Sequence, residues 1–184
     1  MKKYQQITEQ TKKNLFESFW QLYKNDDKIT ISKICKLANY DRSTFYRYFI
    51  DIKDISNQFE DELLNNLRTD IKTKTTNFSH ISPDKFKKFT EIYGKYIIVY
   101  FEKGNRQFYE KFKSLIIKEV YDLFDYNIKG EEKKNFLYEF MFSSIIISYA
   151  YWYNHQEIMD FENLVEFMNN ILLYSNKNII KYLK

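Results

Sequence analysis

Residues 30–49 read TISKICKLANYDRSTFYRYF, and this stretch decides the fold. Thr30 is a favoured N-cap residue. After it Ile31, Ile34, Cys35 and Ala38 recur at three- and four-residue spacing, which puts them on one side of a short helix. Asn39 follows where the chain has to turn, and Asn tolerates the left-handed backbone better than most non-glycine residues. Asp41 is a second N-cap, so a further helix is expected over Arg42–Phe49, opening polar and closing aromatic. Phe45 and Phe49, four apart, share its inward face. Arg42, Ser43, Thr44, Tyr46 and Arg47 then have to point elsewhere. A short helix, a tight turn and a second helix with a polar head is the layout of a helix-turn-helix. In such motifs the second helix lies in the major groove of DNA, with its first residues at the base edges.

Working outward, Ile7–Lys24 has helical spacing, with Leu15, Phe16, Phe19, Trp20, Leu22 and Tyr23 as a broad apolar face. Asn25-Asp26-Asp27 breaks it. Beyond Ile50-Asp51 a long helix is expected over Ile52–Thr73, then a loop over 77–82. Ser82-Pro83 starts the next helix, with Pro at the first position where its missing N–H does no harm. Phe86, Phe89, Tyr93, Tyr96, Ile97 and Tyr100 carry its apolar side, and Gly104-Asn105 ends it. Further helices are expected over Gln107–Phe124, Glu131–Asn154 and from Asp160 or Phe161 to about Ser175. One Pro and three Gly are too few for sheets joined by tight turns. The fold class is therefore all-α, with eight or nine helices. An N-terminal three-helix helix-turn-helix domain spans 1–51, and a larger helical domain spans 52–184.

Charge points the same way. The first fifty residues hold ten Lys/Arg against five Asp/Glu, an excess of +5 in a chain whose net charge is +4. The positive excess thus sits with the helix-turn-helix, where neutralising phosphates is the source of non-specific DNA affinity. A lysine-rich soluble surface has the same charge. A single cysteine, Cys35, rules out an internal disulfide and fits a reducing, cytoplasmic setting; its place on the apolar side makes it a small buried hydrophobe. The two lysines at the start are followed by no apolar run, so no secretory signal is read. The most apolar stretch, Met141–Ile147, is too short to span a bilayer.

Between Thr11 and Ile55 the chain resembles the TetR family of transcriptional regulators. Thr11 stands where the family opens its first helix, and Leu15, Phe16, Leu22 and Tyr23 stand at its core positions. Thr30, Ile31, Ile34, Cys35 and Ala38 match the second helix. The run Asp41-Arg42-Ser43-Thr44-Phe45-Tyr46-Arg47-Tyr48-Phe49 matches the cap, polar pair, Thr, aliphatic or Phe, Tyr and closing Phe of the third. Asn39 replaces the usual turn Gly and Tyr40 the usual Val. Ile52 stands where the family often has a phosphate-binding Lys, with Lys53 beside it. The resemblance implies that Arg42, Ser43 and Arg47 read bases, and that Thr30, Thr44, Tyr46 and Tyr48 contact phosphate or backbone. Ser32 and Lys53 are added as candidate contacts by position.

The same resemblance implies a large domain that binds an effector and dimerises. Its last two helices, near 131–154 and 160–175, would pair with those of a second copy. The first of them is apolar around almost its whole circumference (Phe136, Phe140, Met141, Ile145, Ile146, Tyr149, Trp152), and such a helix needs cover on every side. Tyr93, Tyr96, Tyr100, Phe112, Tyr149, Trp152 and Met168 are candidate lining for a small apolar or cationic effector, though plain core has the same spacing. His80 and His155 have no ligand-like spacing, so no metal is expected. No cofactor loop, nucleophile elbow or paired-carboxylate motif is present, and an enzyme is not expected. The function read is a homodimeric, ligand-responsive repressor on a palindromic operator. The alternative is an interaction protein whose large domain docks a protein partner.

Overall fold

The computed structural model describes residues 2–25, 28–74, 82–120 and 128–170, and every regular element among them is a helix. The chain divides into two compact units, Met1–Leu63 and Leu64–Lys184.

The first unit holds α1 (Lys2–Lys24), α2 (Ile31–Ala38), α3 (Arg42–Phe45) and the opening turns of α4 (Ile52–Lys74). Helix α1 starts earlier than its apolar periodicity suggests, because nothing between Lys2 and Gln10 stops a helix. Thr11 therefore lies inside α1 and does not open it. It is buried, and its hydroxyl donates to the Ile7 carbonyl at 2.8 Å, the usual way a mid-helix Thr satisfies itself. The core is Leu15, Phe16, Phe19 and Leu22 of α1, Ile34 and Cys35 of α2, Phe45 and Phe49, and Ile55 of α4. Phe49 meets Phe16 at 5.3 Å and Phe45 at the same distance. Ile52 and Phe59 also pack here, so this unit needs the first three turns of α4 to close its core.

Helix α3 is shorter than expected. Its α-helical part ends at Phe45; Arg47 N–H then bonds Thr44 O at 3.2 Å and Tyr48 N–H bonds Phe45 O at 3.0 Å, each three residues back, before Phe49 N–H reaches Phe45 O, four back, at 3.0 Å. Four of the five residues from Phe45 to Phe49 are aromatic, a composition that favours the α-helix weakly.

In the second unit, α5 (Pro83–Phe89) passes through one π-helical turn, Thr90–Gly94, into α6 (Lys95–Glu102); α7 (Arg106–Glu119) and α8 (Glu131–Tyr153) follow, and residues 161–170 are helical. The sequence reads 83–102 as one uninterrupted helix. The extra residue in the π-turn lies beside α8, where a Cβ on Gly94 would stand 2.5 Å from the Tyr149 hydroxyl oxygen. Gly104 (φ +61) ends α6, and Asn105 caps α7 by accepting from Phe108 N at 2.9 Å. Two groups of side chains stand out among the described residues of this unit. One is a ring stack, Tyr100 on Phe108 at 4.0 Å and Phe108 on Phe112 at 6.0 Å, with Phe142 against Phe112. The other is Ile98, Tyr149, Leu164 and Met168, with Phe86, Ile145, Trp152 and Met159 around it. Polar ties fasten α4 to its neighbours here. Arg68 Nε and Lys72 Nζ meet the Glu119 carboxylate at 3.2 and 3.5 Å, and the Tyr93 hydroxyl donates to Asp70 at 2.9 Å.

No helix among the described residues is long and apolar enough to cross a membrane. The expected breaks at 26–27 and 77–81, the 121–124 end of the α7 stretch and the 171–175 end of the last helix lie outside the described residues.

Candidate nucleic-acid interface

The interface is built from α2, the turn after it, and α3. Thr30 has extended backbone (φ −140°, ψ 150°), and its Oγ1 accepts from Lys33 N at 3.2 Å. A hydroxyl that accepts in this way still has a proton to donate. At the far end of α2, Asn39 adopts the left-handed conformation, φ 57° and ψ 46°. Tyr40 N–H returns to Cys35 O at 2.9 Å and Asn39 N–H to Lys36 O at 3.3 Å, the paired bonds of a Schellman motif. The Tyr40 hydroxyl also accepts from Asn14 Nδ2 of α1 at 3.1 Å. The turn that aims α3 is thus fixed at its backbone and at a side chain, without glycine. Asp41 occupies the N-cap of α3 with extended backbone (φ −74°, ψ 159°), but its carboxylate makes no capping bond.

Below this scaffold lie the buried rings of Phe45 and Phe49; above it the polar residues face outward. Ser32, Arg42, Ser43, Tyr46, Arg47 and Lys53 are exposed, and Thr30, Thr44 and Tyr48 are half-buried. None of the nine candidate contacts is occluded. Lys33 and Lys36 also stand exposed on α2. Residue type ranks them with any surface lysine, and only their position next to Ser32 brings them to this face. Arg42 Nη2 donates to the Tyr46 hydroxyl at 3.4 Å, and the Tyr46 ring stands edge-on to Phe45 at 5.6 Å.

The start of α4 closes the unit electrostatically. Asp51 Oδ1 accepts from Asp54 N at 2.8 Å, and Asp54 Oδ2 accepts from Ile50 N at 2.8 Å. Gln58 Nε2 joins Asp54 Oδ1 at 3.1 Å to the Tyr48 carbonyl at 3.4 Å. The Ile50 amide, then the Gln58 amide, hold the Asp54 carboxyl below its ordinary pKa. Two carboxylates already serve this helix N-terminus, and Lys53 beside them is exposed. Cys35 is buried under the motif, and burial pushes its thiol pKa up, partly offset by the Arg42 charge.

In the second unit five of the seven candidate effector-lining residues are buried: Tyr93, Tyr100, Phe112, Tyr149 and Met168. They do not form one group. Tyr100 and Phe112 belong to the ring stack; Tyr149, Trp152 and Met168 belong to the other cluster. Tyr93 is tied to Asp70. Tyr96 is half-buried beneath Lys95, whose Nζ lies 4.9 Å from its ring centroid. The Trp152 indole donates to Met159 O at 2.8 Å. Burial drives the Tyr93 and Tyr149 phenols up to about 12, so both are neutral at ordinary pH.

Helix α8 buries Leu137, Tyr138, Met141, Phe142 and Tyr149, yet Phe136 (64 %), Phe140 (43 %), Ile147 (67 %) and Tyr151 (59 %) are exposed. At 100° per residue those four fall within an arc of about 60°. They form an apolar stripe along one side of the helix. Among the described residues no group of His, Cys, Asp and Glu is arranged to hold a metal ion. Comparison of the chain with models of protein families, with curated proteins and with solved structures finds no match.

Proposed function

We propose that this chain is a DNA-binding transcriptional regulator of TetR type, a homodimeric and ligand-responsive repressor that recognises a palindromic operator through the major groove. One observation carries the reading: the turn after α2 and the start of α3 are locked from below by Phe45, Phe49, Asn39 and the Tyr40–Asn14 bond, while Arg42, Ser43 and Arg47 face solvent. A rigid base with polar side chains at the head of the second helix is what direct readout requires. Arg42 and Arg47 each have the donor pairs to bind guanine O6 and N7, an interaction worth about 1–3 kcal/mol of discrimination. Thr30, Thr44, Tyr48 and Lys53 supply contacts to phosphate.

The exposed stripe of α8 supports the dimer. Phe136, Phe140, Ile147 and Tyr151 leave an apolar strip in water that a second copy of the same helix covers by two-fold symmetry. Such a dimer sets two recognition segments roughly 34–36 Å apart, one turn of DNA. An effector held by the second unit then releases DNA only if it binds the two spacings unequally.

Selection of duplexes from a random pool by the purified full chain tests the proposal. Enrichment of an inverted repeat, with affinity falling as salt rises, is the expected result. A chain that retains no duplex at low ionic strength is not a DNA-binding regulator.

A further inference from the structure

Arg42 is not a loose surface arginine. Its guanidinium Nη2 donates to the Tyr46 hydroxyl, one helical turn on, at 3.4 Å. Tyr46 is 51 % exposed, so its ring needs a support, and Phe45 gives it one. The two rings meet at 5.6 Å with an interplanar angle of 89°, and Phe45 is completely buried in the core of the first unit. A chain of contacts therefore runs from the hydrophobic core, through an edge-on aromatic pair, to the head group of an arginine at the start of α3. A tyrosine hydroxyl that accepts one N–H from a guanidinium leaves the other donors of the fork uncommitted to that bond.

We infer that Tyr46 is a positioning residue for Arg42: it holds the guanidinium near the orientation in which the fork meets a guanine edge, and so sets sequence preference at one base pair. The inference rests on the DNA-binding reading, and it departs from the phosphate contact that family resemblance gives Tyr46. An arginine side chain loses many rotamers when it docks, and one already held by a neighbour loses fewer. The effect of removing the hydroxyl is then confined to sequences that Arg42 reads.

The test uses the full chain, the duplex selected by wild type, and versions of it changed one base pair at a time. Arg42→Ala first identifies the base pair at which preference disappears. Tyr46→Phe keeps the ring on Phe45 and removes only the hydroxyl; its thermal unfolding reports that the fold is intact. The expected result is a loss of about 3- to 10-fold on the selected duplex. No loss is expected on the duplex changed at that base pair, and none on any duplex in the Arg42→Ala background. An equal loss on all duplexes makes Tyr46 a phosphate contact and overturns the inference. An equal loss in the Arg42→Ala background, or no loss anywhere, overturns it too. If wild type selects no sequence, the DNA-binding reading itself has failed, which the first step shows before any Tyr46 variant is made.

Discussion

The contact between Gly94 and Tyr149 makes a sign reversal testable. Alanine in place of glycine inside a helix ordinarily stabilises by about 1 kcal/mol. At Gly94 the new Cβ would lie 2.5 Å from the Tyr149 hydroxyl oxygen, well inside any tolerated contact. The Tyr149 ring cannot swing clear easily, because Phe86 stands 5.7 Å away, Tyr153 6.1 Å and Trp152 6.2 Å. Overpacking of this kind costs about 1–3 kcal/mol, so Gly94→Ala should destabilise the protein. Tyr149→Phe removes the offending oxygen. The nearest remaining atoms, Thr90 Cβ and the Tyr149 ring carbon, are both at 3.5 Å, an ordinary contact. In that background Gly94→Ala should stabilise by about 1 kcal/mol. Urea unfolding of wild type, both single variants and the double variant closes the cycle, and an unchanged slope with denaturant shows that only stability has moved. If Gly94→Ala has the same effect in both backgrounds, the close approach does not explain the glycine.

Three further outcomes follow from the structure. Asn39→Val puts a β-branched residue at φ 57° and should cost about 1–2 kcal/mol, whereas Asn39→Gly should be neutral or slightly stabilising; thermal melts separate the two. The Asp54 carboxyl is held below its ordinary 3.8, so the stability it contributes is complete above that value and is lost as pH falls through its folded pKa. Melting temperature on acidification below pH 3.8 should therefore drop more steeply for wild type than for Asp54→Asn. If the proposed dimer forms through the α8 stripe, Ile147→Asp at its most exposed point should shift the full chain from dimer to monomer in analytical ultracentrifugation; a monomeric wild type, or a dimer the variant leaves intact, overturns that interface.

Where the sequence could be read, short-range chemistry was the reason. Thr30 as a cap, Asn39 as a left-handed turn, and Phe45 with Phe49 as an inward pair depend on residues within a few positions of one another, and all three are as expected. The apolar circumference of α8 was also legible, since the density of apolar residues over 136–152 reveals it. What periodicity could not show was set by tertiary contact. The π-turn at Thr90–Gly94 goes with a tyrosine more than fifty residues away, and no local pattern encodes that. Nor does any pattern within α1 reveal that Asn14 reaches Tyr40. The seven aromatic and Met positions proposed as an effector lining share a helical period, but period does not say which rings stack together. Tyr100 and Tyr149 fall in different clusters because α7 stands against one and the 161–170 helix against the other. The tight winding after Phe45 was likewise hidden: Arg47 and Tyr48 N–H reach back three residues while Phe49 N–H reaches back four, and no residue pattern in the run marks that change.

Cys35 is the sole sulfhydryl of the chain, and it lies at the centre of the first unit with 3 % of its surface accessible. An alkylating reagent cannot meet it until α1, α2 and α3 part, so its labelling rate under native conditions times the spontaneous opening of that unit. No engineered probe is required. On the proposed function, a duplex that grips the closed unit should retard the labelling as its occupancy rises, which would turn one inert side chain into an intrinsic gauge of operator binding.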